Sequence, residues 1–359
     1  MKPHTAAKHE LLKTYLDRWF AILGLDFRGQ PGRINYIDGF AGPGEYDGGE
    51  IGSPQIAIQS ALAHAQKGNL PPNVEINFIF VEANPQFAAN LKSRLLQLQV
   101  PSHFKVRIVE GEFADVVGSI LDGLHAKGGA LAPTFAFVDP FGFSGIPFEL
   151  MQRILAYNKC EVYINIMVEF INRFLQHPDE DVVAHFPRTF GTEEVLQIPS
   201  QAGDRIRAIL NLYKSQLASA ARYVGRFDMH GRKDQHTYSL FFASNHPLGF
   251  QKMKEAHWKV DKANGGKFSD RNPCESEQQS RLFGHLHLRD QIQDQFAAKK
   301  VFMKDLETFV IQCTDYLPSH LREVLAELEA EDAIAVESVP NHKRKAGTFP
   351  SEKVHIQFR

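Results

Sequence analysis

Apolar positions near the start of the chain recur at spacings of three and four: Leu11, Leu12, Tyr15, Leu16, Trp19, Phe20 and Leu23. That period predicts an amphipathic helix within residues 1–28, leaning on a larger body, with Gly24 as its stop. From about residue 33 the pattern changes. Short apolar runs, Arg33–Phe40, Asn73–Glu82, Phe104–Val109, Thr134–Val138 and Glu161–Val168, read as buried strands. They alternate with helical stretches at Ser53–Lys67, Pro85–Gln99, Phe113–His125 and Phe148–Tyr157. Ser53 is placed to cap the second of the chain's helices, with Pro54 in its first turn. Strands alternating with helices of this length predict a parallel sheet covered on both faces.

Residues 169–218 are helical in pattern and too long for a connector, so they read as an insertion. Arg222–Met229 and His236–Ser244 flank Gly231–Asp234 as a β-hairpin. Residues 245–285 are polar, with a helix at Gln251–Lys259 and a loop over Gly265–Ser280. Residues 286–359 read as a separate unit. Helices are expected at Leu288–Phe302, Lys304–Gln312 and Ser319–Glu331, then strands at Ile334–Val339 and Val354–Phe358 around the polar turn His342–Gly347. That order describes a winged helix-turn-helix. The expected organisation is a helix at 1–28, a doubly wound α/β domain closed by an antiparallel hairpin at 29–285, and the winged unit.

A chain of 359 residues, 43% hydrophobic and 23% charged, has the make-up of a soluble globular protein. No apolar run is long enough to span a membrane. Cys160, Cys274 and Cys313 are too scattered for a disulfide framework or a zinc knuckle, so a cytoplasmic setting and no metal centre are expected. The net charge of −2 announces no nucleic-acid partner. Residues 301–359 hold seven Lys or Arg against ten Asp or Glu, a net −3, with Glu323, Glu327, Glu329, Glu331 and Asp332 around the presumed recognition helix. The basic run is the turn, Lys343, Arg344 and Lys345, which makes those three the candidate phosphate contacts.

The chemistry-bearing signals fall at strand ends. Asp38, Gly39, Phe40, Ala41, Gly42, Pro43 and Gly44 close the first strand ahead of a helix; glycines there let a ligand approach the backbone, and a carboxylate can bind a polar group. The order is not G-x-G-x-x-G, which sets aside a nicotinamide dehydrogenase. Glu82, near Asn84, ends the second strand, where an acid can accept from both hydroxyls of a ribose. Glu112 and Phe113 follow the third strand. Asp139, Pro140, Phe141 and Gly142 follow the fourth. His230 and His236 flank the hairpin turn and read as surface residues. Trp258, between His257 and Lys259, reads as core before it reads as a base-stacking residue.

The turn Asp38–Gly44 resembles motif I of class I S-adenosylmethionine (SAM) methyltransferases, in the variant with Phe at the first glycine position. That resemblance implies SAM as cofactor, held by Asp38 to Gly42, Gly44, Glu82 and Asn84, with Glu112 and Phe113 at the adenine. Asp139-Pro140-Phe141 resembles motif IV of amino-methyltransferases. In that family the acid and the proline carbonyl accept hydrogen bonds from a target NH₂ and the aromatic ring stacks on the base. Here the second proline is absent and Phe141 comes one place early. Together with Lys8–Trp19, Gly52-Ser53-Pro54, 256–261 and Thr348-Phe349-Pro350, these stretches resemble the three-Cys-motif partner proteins. More distantly, the first helix and both motifs resemble ribosomal-RNA adenine N6 methyltransferases. Two functions follow as expectations: N-methylation of a nucleic-acid base, or a non-catalytic SAM-binding subunit. In the second, the winged unit docks a three-Cys-motif, radical-SAM-like protein or DNA.

Overall fold

The computed structural model describes residues 2–46, 48–200, 204–270 and 285–359. These divide into two compact units. One holds the described residues through Ala256 together with 267–270; the other holds 257–266 and 285–359. The sequence reading put 257–266 with the first domain. Trp258 moves that segment to the second unit, where its ring is buried against Tyr316 and His320 and its indole N–H donates to the Asp315 carbonyl at 2.7 Å.

The first unit is built on one eight-stranded sheet. Its strands are β1 (Gly32–Asp38), β2 (Val74–Glu82), β3 (Phe104–Glu110), β4 (Thr134–Val138), β5 (Cys160–Ile166), β6 (Tyr223–His230), β7 (His236–Ser244) and β8 (Lys267–Ser269). They lie in the order β3-β2-β1-β4-β5-β7-β6-β8. Strands β1 to β5 are parallel, and β7 runs antiparallel to both β5 and β6. The doubly wound sheet with its antiparallel hairpin is therefore present. Strand order reverses between β1 and β4, the position at which open α/β sheets hold their ligands.

Helices α1 (Pro3–Asp26), α2 (Ser53–Gln66), α3 (Pro85–Leu95), α4 (Phe113–Ala126) and α5 (Phe148–Leu155) connect and cover the sheet. Helix α1 buries the predicted stripe, Leu11, Leu12, Tyr15, Leu16, Trp19, Phe20 and Leu23. Gly24 does not stop it. The helix runs on to Asp26, and a Cβ at Gly24 would sit 1.8 Å from the Asn69 carbonyl oxygen, so glycine is required there by close approach. Strand β5 ends two residues early, because Val168 already opens α6 (Val168–Phe174). The insertion continues as α7 (Glu180–Val183), α8 (His185–Phe190), a 3₁₀ turn at Glu193–Gln197 and α9 (Arg205–Ala220). Helix α10 (Pro247–Val260) follows the hairpin. Strand β8 lies in the stretch read as a loop; residues 271–284, with Cys274, are outside the described residues.

The second unit has helices at Leu286–Phe296, Met303–Cys313 and Pro318–Ala330. Its three-stranded antiparallel sheet joins Lys300–Phe302, Ile334–Ser338 and Val354–Phe358. The first helix is shorter than its pattern suggested. Ala298 turns left-handed at φ 58°, and Lys300–Phe302 pairs with the last strand instead. Leu288, Leu306, Val324, Leu325, Leu328, Val354 and Ile356 fill the core. No helix among the described residues is long and apolar enough to cross a membrane.

Candidate active site at the carboxyl ends of β1, β2 and β4

The turn after β1 is laced to the end of β2. The Ala41 N–H donates to the Val81 carbonyl at 2.9 Å, and the Gly42 N–H donates to Glu82 Oε2 at 2.8 Å. Glu82 Oε1 accepts from the Asn84 N–H at 2.8 Å. Each oxygen of this half-buried carboxylate thus spends one lone pair on backbone and keeps one. Gly42 holds φ +65°, a conformation that a side chain would strain. Asn84 caps α3, accepting from the Gln86 and Phe87 N–H groups at 2.9 and 3.1 Å. Gly44 accepts from the Gly52 N–H at 2.7 Å, which closes the loop ahead of α2.

Asp38 is fully buried beneath this turn. It accepts from the Phe40 N–H at 3.3 Å, from Tyr36 Oη at 3.5 Å and from the Ser53 side chain. Ser53 therefore does not cap α2 as expected; Gly52 holds the cap position, and the serine hydroxyl turns to the acid. Burial pushes the Asp38 carboxyl up to about 7 against the lowering effect of its hydrogen bonds, with the charge of Asp139 adding to the rise. Phe113 is buried, its ring 5.7 Å from Phe40 and packed against Gly39. Glu112 is exposed at the N-cap of α4 with no side-chain cap bond.

Asp139 leaves the end of β4, the neighbour of β1 in the sheet. Two groups from other elements grip it. Asn165 Nδ2 on β5 donates to Oδ1 at 2.8 Å, and Lys8 Nζ on α1 pairs with Oδ2. The lysine is nearly buried, and its ammonium lies 5.6 Å from the centroid of the Tyr238 ring. Beside it, burial first and the Lys8 charge second push His9 down to about 4, so its imidazole is neutral. His9 faces Tyr46, with Nε2 3.5 Å from the hydroxyl. Asn165 Oδ1 is buried and has no hydrogen-bond partner among the described residues. Pro140 is buried; Phe141 is 99% exposed, a large aromatic ring standing in solvent next to Asp139.

The structure thus gathers Asp38 to Gly44, Glu82, Asn84 and Asp139 at one end of the sheet. Lys8, His9, Tyr46, Asn165 and Tyr238 were not singled out as site residues. Only the pair Lys8-His9, polar positions one turn before the apolar stripe, carried a local signal. The expected basic run at the distal turn does not act as one group. The Arg344 guanidinium pairs with Glu329, donates to the Thr348 carbonyl at 2.8 Å and lies 5.5 Å from the Phe349 ring centroid. Lys343 and Lys345 are exposed. The acids of the neighbouring helix are also engaged: Glu323 with His285 at 2.9 Å and Glu331 with Arg289 at 2.5 Å.

No protein-family model and no curated protein matches this sequence. Solved structures do resemble the fold. Trm1 from Pyrococcus horikoshii with S-adenosyl-L-methionine is 15% identical at a TM-score of 0.36, over 73% of this chain and 62% of that one. An O-methyltransferase from Bacillus cereus in complex with SAH is 12% identical at 0.31, over 65% and 80%. A putative methyltransferase from Porphyromonas gingivalis W83 is 11% identical at 0.30, and the chain spans 41% of its length. These are loose likenesses, and the functional reading is carried by the site's own residues.

Proposed function

We propose that the protein is a SAM-dependent methyltransferase acting on an amino group of a nucleic-acid base. One observation carries this reading: the Glu82-laced glycine turn and the Asp139-Pro140-Phe141 strand exit open side by side at the reversal of strand order. The residues fit the cofactor. Glu82 keeps one lone pair on each oxygen for the two ribose hydroxyls. The uncapped first turn of α4, after Glu112 and including the Phe113 N–H, offers backbone donors to a ring nitrogen. When bound, the cofactor would supply the electrophilic methyl group.

On the acceptor side, Asp139 Oδ1 and Oδ2 each retain one lone pair beyond Asn165 and Lys8. One of these would accept a hydrogen bond from the target NH₂, and the Pro140 carbonyl another, which orients the nitrogen lone pair at the methyl group. The buried pair with Lys8 holds the carboxylate in place before substrate arrives. Phe141, exposed beside them, would stack on the base; a base in a duplex would have to be flipped out. The second unit is read as a winged helix, with Lys343 and Lys345 toward phosphate.

The grip of Lys8 on Asp139 also favours a second reading. A carboxylate already paired with an ammonium is what a non-catalytic, SAM-binding subunit would retain, with the winged unit docking a three-Cys-motif protein. The deciding experiment is tritiated methyl transfer to DNA, RNA and protein pools, with and without such a partner. Methyl transfer to nucleic acid that is abolished in Asp139→Ala, while SAM affinity changes little, supports the enzyme. Tight SAM binding with no transfer to any pool supports the subunit. Binding of NAD in place of SAM defeats both.

A further inference from the structure

The hairpin β6–β7 carries a cluster that methyl transfer does not use. The sequence reading made His230 and His236 surface residues; instead both are half-buried, with side chains 16% and 12% exposed. We infer that Asp228, His230 and His236 form a binding site for one divalent transition-metal ion of the zinc type.

Strand register assembles it. Asp228 and His230 lie two apart on β6 and share a face. Asp228 pairs with Ser239 and Met229 with Tyr238, so a regular ladder would set Thr237 opposite His230. An irregularity between Met229 and His230 sets His236 there instead. A bulge that re-aims one side chain is a recurrent device beside functional groups. Its result is three potential ligand atoms, one from each residue, all within 4.8 Å of one another. His236 Nε2 and Asp228 Oδ1 are 3.6 Å apart. Bonds of about 2.0–2.2 Å to a shared tetrahedral ion require roughly 3.4 Å between ligand atoms. The Asp228–His236 pair is already near that spacing, and the pairs with His230, within 4.8 Å, have to draw together.

The surroundings prepare the ligands as outer-shell groups do in metal sites. His230 Nδ1 lies 3.0 Å from the Asp234 carbonyl oxygen; a proton placed there leaves Nε2 with a free lone pair. Asp234 is itself held by Ser269 at 2.9 Å and Lys267 at 3.1 Å. Ser239 Oγ sits 2.7 Å from Asp228 Oδ1 and 2.8 Å from His236 Nε2. Its one proton can serve only one of them. Two imidazoles and one carboxylate leave a tetrahedral ion one open position, the donor set of a site that can take up water or a small ligand. Arg226 is the competitor: its Nε lies 3.0 Å from Asp228 Oδ1, so an ion held by Oδ1 would displace the guanidinium.

The test uses full-length protein stripped with chelator. Zn²⁺ is titrated calorimetrically, and Co²⁺ by its visible spectrum. The expected result is one ion per chain, a Tm raised by Zn²⁺, and Co²⁺ bands of low-symmetry coordination. His230→Ala and Asp228→Asn should abolish saturable binding. Ser239→Ala, which removes an outer-shell partner, should weaken it about 10- to 100-fold. Arg226→Gln should tighten it. Asp228→Asn keeps the shape of the side chain, so it decides the matter if the histidine variant fails to fold. Zinc binding that is equal in wild type and Asp228→Asn, or no Tm response in wild type, overturns the proposal.

Discussion

Lys8 and Asp139 are 131 positions apart in sequence and meet with side chains only 10% and 17% exposed. At that depth an ion pair is costly to break from one side, because the survivor keeps its charge without its partner. Lys8→Met should therefore destabilise the first unit by about 2–3 kcal/mol, somewhat below the cost at full burial. Asp139→Asn added to it should cost nothing further. A double-mutant cycle in urea checks this, and additive effects would mean that the pair is incidental. Glu82 works differently, since its partners are backbone N–H groups of the turn itself. If Glu82 holds the ribose as proposed, Glu82→Ala should lose those hydrogen bonds and loosen Gly42 together, lowering SAM affinity by roughly 1–3 kcal/mol. Calorimetry reads this directly, and an unchanged affinity would remove Glu82 from the cofactor site.

Helix α1 is the element that delivers Lys8, and it is anchored at the opposite end of the sheet. Glu161, at the start of β5, is buried and accepts from Tyr15 Oη at 2.5 Å and Ser244 Oγ at 2.8 Å, with a further bond from Trp19. Burial, against those three bonds, pushes its carboxyl up to about 7. Lys159, Lys252, His246 and Asp26 line the small cavity around it. An acid raised on folding is most favourable when protonated, so its contribution is full below pH 4.5 and is lost as pH rises to about 7. Glu161→Gln should remove that loss, on the order of 3 kcal/mol, and flatten the stability curve between pH 4.5 and 7. A curve that keeps its slope in the variant would place the titration elsewhere. The stripe Leu11 to Leu23 made α1 readable from sequence, and the apolar runs of β1 to β5 made the parallel sheet readable. Glu161 was not readable as an anchor, because its partners lie on α1 and β7. Ser53 misled for a related reason: a serine at a helix start fits a local cap, and the buried acid Asp38 on β1 takes its hydroxyl instead. Within the site, residues at strand ends were visible because glycines and acids are unusual there. Asn165 and Tyr238 sit inside ordinary strand patterns and became site residues only through the order of the strands.

At the scale of the whole molecule, the charge of the second unit bears on what it can bind. The net −3 counted over residues 301–359 suggested a surface that repels phosphate, yet Glu323, Glu329 and Glu331 are each paired within the second unit. Arg344 is already counted in that net charge, so its pair with Glu329 leaves the sum unchanged but takes Arg344 away from any ligand; Arg289, from outside 301–359, offsets Glu331. Arg344 organises its turn: Glu329 receives both its guanidinium and, at 2.9 Å, the Gly347 N–H. Of the basic run at the turn, two exposed lysines remain for phosphate, Lys343 and Lys345. Each phosphate contact neutralised on duplex DNA contributes about 0.9 to the slope of log affinity against log salt. Converting both lysines to glutamine should therefore lower that slope by at most about 1.8 while leaving stability unchanged. Arg344→Ala should do the reverse, unfolding the second unit at lower urea with little change in slope for the fraction that stays folded. Anisotropy titrations of a labelled duplex from low to high salt, alongside urea melts, separate the two effects. A slope that is the same with and without Lys343 and Lys345 would take this turn out of nucleic-acid binding.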